Sequence, residues 1–296
     1  MKINSIITLF VIASQLFGQG KSTGSSYLKF PLSARLASMG EAGVADKGNF
    51  STAFINPAGL FLNGNGEITL SHSEWIHDIR SEMLGSRISV PFGTVGIILS
   101  NTNINGIEVR EIPGDPIAIT NAHNGYIQLI GTTTVTTDIA VGVSIKYIYE
   151  KIFTDEATGY GFDAGVIYKT PIEGMTAGAS FTNIGSMQAF RSQRSGLPSA
   201  VRSGIQYKNQ IENYQFLVTT DVKGDLNLNL YYLHLGGEVT FSDFISARAG
   251  FQTGYESRGL SAGLGIQYSL FKLDYAVVPF SMNLGTAHIL TLGFVF

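Results

Sequence analysis

The second half of the sequence repeatedly alternates apolar residues with small or polar ones. In 139–150, every second residue is Ile, Val or Tyr, and the residues between them include Gly142, Ser144 and Lys146. Because successive side chains of a strand point to opposite faces, this pattern predicts strands with two different faces. Segments of about ten residues suit a tilted strand that crosses a bilayer, whereas strands of soluble sandwiches usually have about five or six. We therefore expect a transmembrane antiparallel β-barrel.

The same pattern, followed through residues 63–296, predicts about fourteen strands, an even number as in bacterial outer-membrane barrels. An open strand edge would expose unsatisfied N–H and C=O groups to hydrocarbon, so we expect the last strand to pair with the first. The expected spans are 66–75, 82–92, 94–103, 125–137, 139–151, 159–169, 175–185, 199–209, 214–223, 230–241, 244–254, 259–269, 271–280 and 287–296.

The expected connections alternate between tight turns and longer loops, and the longest loop is expected at 104–124. This alternation is typical of outer-membrane barrels, in which the short turns face the periplasm, and it predicts that both chain termini lie on the periplasmic side. The last residues, Leu290, Leu292, Phe294 and Phe296, alternate to the end of the chain. A terminal aromatic residue on such a strand resembles the signal read by the bacterial barrel-assembly machinery.

Residues 1–20 have the pattern of a secretory signal peptide, with Lys2, an apolar stretch over 6–13 and small residues at Gly18 and Gly20. The alternative is a short hydrophobic N-terminal helix. The chain has no Cys, which excludes disulfides and the acylated Cys of a lipoprotein. Charged residues make up 14% of the chain, against about 25% in soluble domains. These features predict the outer membrane of a Gram-negative cell, with lipid as a partner.

Residues 21–62 lack strand alternation and separate the signal peptide from the barrel at 63–296. We expect them to form a partly helical plug in the barrel lumen, with a short helix within 33–45 that Gly40 and Gly43 interrupt. Arg35 is expected to pair with a carboxylate on the inner face of the barrel. The alternative is a disordered periplasmic tail.

This segment and the residues just after it contain the motifs Tyr27-Leu28-Lys29-Phe30-Pro31, Ala34-Arg35, Met39-Gly40, Asn56-Pro57-Ala58-Gly59-Leu60 and Ser71-His72-Ser73-Glu74-Trp75. Together they resemble the PorV/PorQ family of Bacteroidetes-type outer-membrane proteins. The resemblance implies a fourteen-stranded FadL-like barrel with an N-terminal segment in or under the lumen. It also implies a role in type IX secretion, in which such proteins bind the C-terminal domains of secreted cargo or anchor a surface partner. Arg35, Asn56, Pro57, Gly59 and Trp75 are the candidate residues that it indicates.

The loop at 104–124 is the expected partner-contacting surface, with Glu108, Arg110, Glu111 and Asp115 as its charged candidates. The alternative function is FadL-like transport of a hydrophobic small molecule, which requires an apolar pocket and a route past the plug. The net charge of -3 does not favour binding to nucleic acid.

The sequence indicates no enzymatic chemistry and no cofactor. A P-loop or dinucleotide fingerprint is absent from it. His72 and His77 lie near Glu74 and Asp78, but the spacing is not that of a metal site, and we expect a polar loop there. His234, on an inward face, is the candidate base of a hydrolase, although a lumenal hydrogen-bonding role is the favoured interpretation.

Overall fold

The computed structural model describes residues 24–62, 64, 66–110, 112–189 and 196–296, so the predicted signal peptide lies outside the described residues. In the described residues, fourteen strands form one closed antiparallel barrel, as predicted. They are β1 Glu67–Glu74, β2 Ile79–Val90, β3 Gly93–Val109, β4 Ala118–Thr134, β5 Ile139–Ile152, β6 Asp155–Lys169, β7 Met175–Met187, β8 Ala200–Ile211, β9 Tyr214–Asp225, β10 Leu230–Phe241, β11 Ile245–Thr253, β12 Leu260–Tyr268, β13 Phe271–Phe280 and β14 Gly285–Val295.

The barrel closes between its first and last strands. β1 and β14 are antiparallel, with a register that runs from the pair Glu67 and Val295 to the pair Glu74 and His288. Each strand therefore has a hydrogen-bonded neighbour on both sides, which removes the strand edges that hydrocarbon would not tolerate. The predicted pairing of the last strand with the first is confirmed.

Several connections are shorter than the sequence predicts. β3 and β4 continue past a bulge between Ile104 and Ile107, so the predicted loop at 104–124 shrinks to 110–117. The predicted loops at 76–81 and 152–158 shrink to 75–78 and 153–154. The outward residues of these extensions are mostly polar, so the apolar alternation ends before the strands do. The longest connection is 188–199, not 104–124.

The barrel has an apolar outward face and a polar inward face, the reverse of a soluble protein. The outward face exposes Leu, Ile, Val, Phe and Tyr side chains around the barrel, as at Leu70, Ile127 and Leu264. The inward face buries polar and charged residues, including Gln128, Asp163 and His234. An apolar exterior over a polar interior matches a barrel embedded in lipid. Among the helical segments of the described ranges, none has the length and apolar composition of a membrane-spanning helix.

Residues 24–62, hereafter the plug, lie inside the barrel. They contain the α-helix α1, Ala34–Ser38, and 3₁₀ turns at Ser26–Lys29, Phe50–Phe54 and Pro57–Leu60. α1 contacts β11–β14, whereas the turn at Pro57–Leu60 contacts β3–β6 on the opposite wall, so the plug crosses the lumen.

The described part of the plug begins at the long-connection end of the barrel. The amide of Gly24 donates to the carbonyl oxygen of Gly196 at 3.2 Å, in the longest connection. Phe296 lies at the short-turn end, where its amide bonds the carbonyl of Gly66. The plug therefore descends the lumen to reach β1. The chain's first residues lie outside the described ranges, but the position of Gly24 differs from the expectation that both ends of the chain lie on the short-turn side.

Gly40 allows the plug backbone to touch the barrel wall. It follows α1 with φ of +64°, a left-handed conformation that favours glycine. A Cβ atom at this position would lie 2.8 Å from the carbonyl oxygen of Leu235 and from the amide nitrogen of Phe251. The helix therefore ends where the chain must pass close to β10 and β11.

Candidate functional site

Arg35 holds α1 to the inner wall. Its Nε donates to Oε2 of Glu238 at 2.9 Å, and its Nη1 donates to Oδ2 of Asp46 at 2.6 Å. Glu238 also bonds Arg248, which reaches Oδ1 of Asp274 at 2.6 Å. Burial would lower the pKa of Arg35, but the carboxylates of Glu238 and Asp46 raise it above the usual range. The plug is thus fixed to β10 by a network of alternating charges.

The Asn56-Pro57-Ala58-Gly59 turn packs its backbone against the opposite wall. Asn56 Nδ2 donates to the carbonyl oxygens of Val44 at 2.7 Å and Val166 at 3.2 Å, and the Pro57 carbonyl accepts from Thr132 Oγ1 at 2.7 Å. The motif that carries the family resemblance therefore acts as a docking element of the plug.

Glycines make this packing possible, Gly142 between the wall and the plug and Gly59 within the plug. A Cβ on Gly142 of β5 would lie 2.4 Å from the amide nitrogen of Ala58, and one on Gly59 would lie 2.3 Å from Cγ2 of Thr52. Either position therefore leaves no space for a side chain.

Trp75 covers the long-connection end of the plug. Its ring stacks on Phe30 with centroids 5.0 Å apart and meets the edge of Phe280 at 6.0 Å. The Trp75 side chain is buried in a cluster that includes Ala34 and Ala37 of α1. Trp75 therefore contacts the plug and the end of β13 rather than solvent.

An apolar cluster fills the lumen between the plug and β2–β5. The plug contributes Tyr27, Leu32 and Phe50, and the wall contributes inward-facing Met83 and Tyr126. Other inward positions of these strands, Ile98, Ile130 and Ile148, belong to the same cluster and are fully or nearly buried. The lumen is therefore apolar against β2–β5, while the network around Arg35 is charged.

A groove of about 540 Å³ lies in the outer wall over the same strands. Most of its surface is apolar, formed by outward side chains that include Leu70, Leu99 and Ile127. The inward-facing Met83 and Tyr126 also line it. The strands are paired without interruption here, Met83 with Ser100 and Ser100 with Tyr126, so the groove lies over the lumenal apolar cluster with the closed wall between them. We treat this groove as the candidate functional site.

Gly125 explains why the groove can form there. It is paired with Asn101 of β3 and Tyr149 of β5, and it presents no side chain to the outer face. A Cβ on Gly125 would lie 2.7 Å from the carbonyl oxygen of Ser100. Sequence reasoning missed this site, although one glycine among larger outward residues in 119–129 was a possible signal.

The edge of the groove nearest the long connections is polar. His72 lies on the outer face with its ring nitrogens 3.7 Å from Glu74 and 3.5 Å from Glu82. Within the ranges that the structure covers, no three His, Asp or Glu side chains are arranged to hold a metal ion. The groove is therefore amphipathic, with its polar side toward the long connections.

The candidate residues of the β3–β4 connection do not join this site. Glu108 and Arg110 form an exposed ion pair with each other, and Asp115 is exposed. Glu111 lies outside the described residues. Ile112 and Ile117 are exposed at the same tip. The tip of the β3–β4 hairpin carries both apolar and charged side chains. It is a different surface from the plug contacts that Arg35, Asn56 and Trp75 make.

His234 has the surroundings of a hydrogen-bonded lumenal residue. Its Nδ1 lies 2.7 Å from the Gly40 carbonyl oxygen, and its Nε2 lies 3.3 Å from the Tyr255 hydroxyl. Neither partner is a serine. The nearby Glu41 bonds Arg258 at 2.7 Å. Burial would raise the pKa of Glu41, but the positive charges around it, Arg258 first, lower it to about 2.

Comparison with solved structures identifies the fold. The *Ralstonia pickettii* toluene transporter TbuX aligns with a TM-score of 0.62 and 12% identity, covering 89% of this chain and 98% of that one. The CymD monoaromatic hydrocarbon channel aligns with a TM-score of 0.62 and 11% identity, covering 90% and 97%. A *Pseudomonas aeruginosa* FadL homologue aligns with a TM-score of 0.56 and 13% identity, covering 94% and 99%.

No family model and no curated protein sequence matches the chain. At these identities the structural likeness is one of fold alone. The chain has the closed fourteen-stranded fold seen in the outer-membrane barrels of a toluene transporter and a FadL homologue.

Proposed function

We propose that this protein passes a small apolar solute between the barrel lumen and the bilayer, through the wall at β2–β4. The observation that carries the proposal is the apolar groove in the outer wall, which Leu99 and Ile127 line and which lies over the lumenal cluster at Met83 and Tyr126. An apolar molecule in this groove contacts lipid on one side, and the paired strands β2–β4 must part locally for it to reach the lumenal cluster on the other. Binding sites for small molecules are usually concave and mainly apolar, with a few polar groups.

The polarity of the groove selects the class of solute. Its apolar surface offers no acceptor or donor for a sugar or an inorganic ion, and its polar side is limited to residues such as His72, Glu82 and Asn101. A small aromatic or aliphatic molecule with at most one polar group fits this distribution. The structural neighbours include a toluene transporter and a monoaromatic hydrocarbon channel, which supports the same class.

The membrane assignment belongs to the proposal. The barrel lies in the outer membrane with its short turns in the periplasm, since outward aromatic residues such as Tyr214, Phe241 and Phe271 cluster near those turns, as in the interfacial girdles of such barrels. We also propose that the protein works without catalysis; the contacts of His234 with a carbonyl oxygen and a phenol support a hydrogen-bonding role for this residue.

The test is uptake of N-phenyl-1-naphthylamine, an apolar fluorophore, by cells that produce the barrel. Ile127→Trp fills the groove from the outer face and should reduce the protein-dependent uptake rate several-fold. Leu264→Trp is the matched control, because Leu264 is an outward, exposed residue of β12 on a different part of the wall. Equal uptake by the two variants, at equal amounts of folded barrel, would reject the route through β2–β4.

A second candidate function is capture of a protein partner, as the PorV/PorQ resemblance implies. The observation that favours it is the tip of the β3–β4 hairpin, where Ile112, Ile117 and Ile119 are exposed beside Glu108 and Arg110. Exposed apolar residues rimmed by charges are typical of interaction sites. Replacing 110–117 with a short Gly-Ser turn should abolish pull-down of a cargo C-terminal domain without unfolding the barrel. Unchanged capture would exclude this tip as the contact surface.

A further inference from the structure

Two cations face each other on the inner wall near the long-connection end. Arg202 of β8 is paired in register with Lys223 of β9, so their side chains emerge side by side on the same face. Like charges directly opposite each other destabilise a pair of strands. Such a pair is therefore expected to have compensating negative charge nearby.

Every cation of this region except Lys223 forms an ion pair with a described carboxylate. Three neighbouring cations each reach an acid: Lys29 with Asp225 at 3.0 Å, Lys146 with Asp163 at 3.0 Å, and Arg202 with Asp221 at 3.3 Å. Glu41 is bound to Arg258 at 2.7 Å. Within the described ranges, the Lys223 ammonium has no hydrogen-bond acceptor and no ion pair, and its one ring contact is Tyr232, 5.9 Å away.

Arg202 also has unused donors. Its Nη1 donates to the Glu41 carbonyl oxygen at 2.6 Å and to Asp221 Oδ2 at 3.3 Å. Its Nε and Nη2 have no acceptor among the residues that the structure describes. The Arg202 side chain is nonetheless buried, with 5% of its surface exposed. A partly buried ammonium and a buried guanidinium thus both lack acceptors that the protein can supply.

A cavity of about 50 Å³ lies against these two side chains. The plug contributes Lys29 and Glu41 to its lining, and the wall contributes Asn183, Arg202, Lys223 and Asp225. The Asp225 carboxylate is paired with Lys29. One water molecule needs about 10–15 Å³ of such volume, so the cavity has room for a small ion with one or two waters. It is too small for an alkyl chain or a sugar.

We propose that this cavity binds a small monoanion, of the size of chloride or formate, between the Lys223 ammonium and the free N–H groups of Arg202. The anion pairs with the one cation of the region that forms no ion pair and supplies the acceptor that both side chains lack. Because the lining comes from the plug and from β7–β9, the anion also links the two. Occupancy therefore stabilises the seated plug.

The test is the thermal unfolding midpoint of the purified protein in detergent, at constant ionic strength. Sodium gluconate, whose anion is too large for the cavity, is exchanged stepwise for sodium chloride or, in a second series, sodium formate. A ligand that binds only the folded state raises the midpoint with its concentration. The native protein should show this rise in at least one of the two series, and the series that shows it identifies the halide or the carboxylate as the preferred ion.

Lys223→Gln should abolish the rise. In gluconate this variant should be at least as stable as the native protein, because it removes a cation that lies beside Arg202 without an ion pair, and this outcome also shows that the variant folds. Lys208→Gln is the matched control: the same substitution on an exposed residue of β8 at the other end of the barrel, which should keep the native response.

Direct observation of the ion completes the test. If the chloride series shows the rise, crystals grown with bromide should show an anomalous peak beside Lys223 Nζ in the native protein and none in Lys223→Gln. The same anion response in the native protein and in Lys223→Gln would overturn the proposal, as would a native midpoint that does not change in either series. Neither result depends on the proposed solute route.

Discussion

Replacing Arg35 with methionine should loosen the plug without opening the barrel. The change keeps most of the side-chain volume but removes the guanidinium that bonds Glu238 and Asp46 at 2.9 and 2.6 Å. Arg35 and Glu238 have 11% and 8% of their side-chain surface exposed. Breaking a buried ion pair by removing one partner typically costs about 3–5 kcal/mol.

The expected free-energy cost of Arg35→Met is at or below the lower end of that range. Glu238 keeps Arg248 as a partner, and Asp46 keeps an amide contact from Gln206 at 3.3 Å. These side chains also border a polar cavity of about 410 Å³ near the short turns, where water can replace part of the loss. We therefore expect about 2–3 kcal/mol, which is a factor of about 30–150 in the equilibrium between docked and released plug, at about 1.4 kcal/mol per tenfold change.

Hydrogen exchange in lipid nanodiscs measures this equilibrium. The amides of Gly43 and Val44 donate to Asp221 Oδ2 at 2.9 and 3.0 Å, so their protection reports on docking. Their protection factors should fall by about the same 30–150-fold in Arg35→Met, while those of β9 and β10 stay unchanged. A fall of equal size in the strands would mean that the network stabilises the whole barrel. Unchanged protection at Gly43 and Val44 would mean that Arg35 does not hold the plug.

Two further predictions concern the same docking equilibrium. The pKa of Glu41 is about 2 in the folded protein, below the ordinary 4.5, so its contribution is present above pH 4.5 and is lost as the pH falls toward 2. The contribution of Glu41 to plug docking that is lost at low pH is roughly 3 kcal/mol. Glu41→Gln should remove this pH dependence from the hydrogen exchange of the plug amides. If the variant keeps the full pH dependence, another group causes it. Gly142→Val should displace the Pro57–Ala58 backbone, which a Cβ would approach to about 2.4–2.5 Å, and expose the plug to limited proteolysis. Gly131→Val, where no atom lies within 4 Å of the added Cβ, should leave the cleavage rate unchanged, and equal cleavage of both variants would remove the steric explanation.

The strands were predictable because lipid requires apolar side chains on their outward faces. On β5, β10 and β12, apolar residues occupy successive outward positions, and the predicted spans match the observed ones within two residues at each end. On β3 the outward residues change to Asn101 and Asn103, and the alternation no longer distinguishes a strand from a polar loop. The strand continues there because the β2 and β4 backbones still pair with it, which no single segment reveals.

The candidate site depends on register across several strands, which the sequence does not contain. A carboxylate partner for Arg35 could be expected from its isolation in an apolar segment, but the choice of Glu238 follows from the position at which α1 docks. The groove requires Gly125 to face outward between Asn101 and Tyr149. Likewise, Arg202 and Lys223 are opposite each other only because of the β8–β9 register.

Lipid accessibility of paired positions tests the central claim most directly, namely that the apolar faces meet lipid while the polar faces enclose the plug. Nitroxide labels at Leu70 and Leu264, and at the inward neighbours Thr69 and Ser261, can be compared in nanodiscs by their collision rates with oxygen and with a water-soluble nickel chelate. The account predicts oxygen-dominated relaxation at Leu70 and Leu264, and slow relaxation with both reagents at Thr69 and Ser261 because these residues are buried. Nickel-dominated relaxation at Leu70 and Leu264 would contradict it.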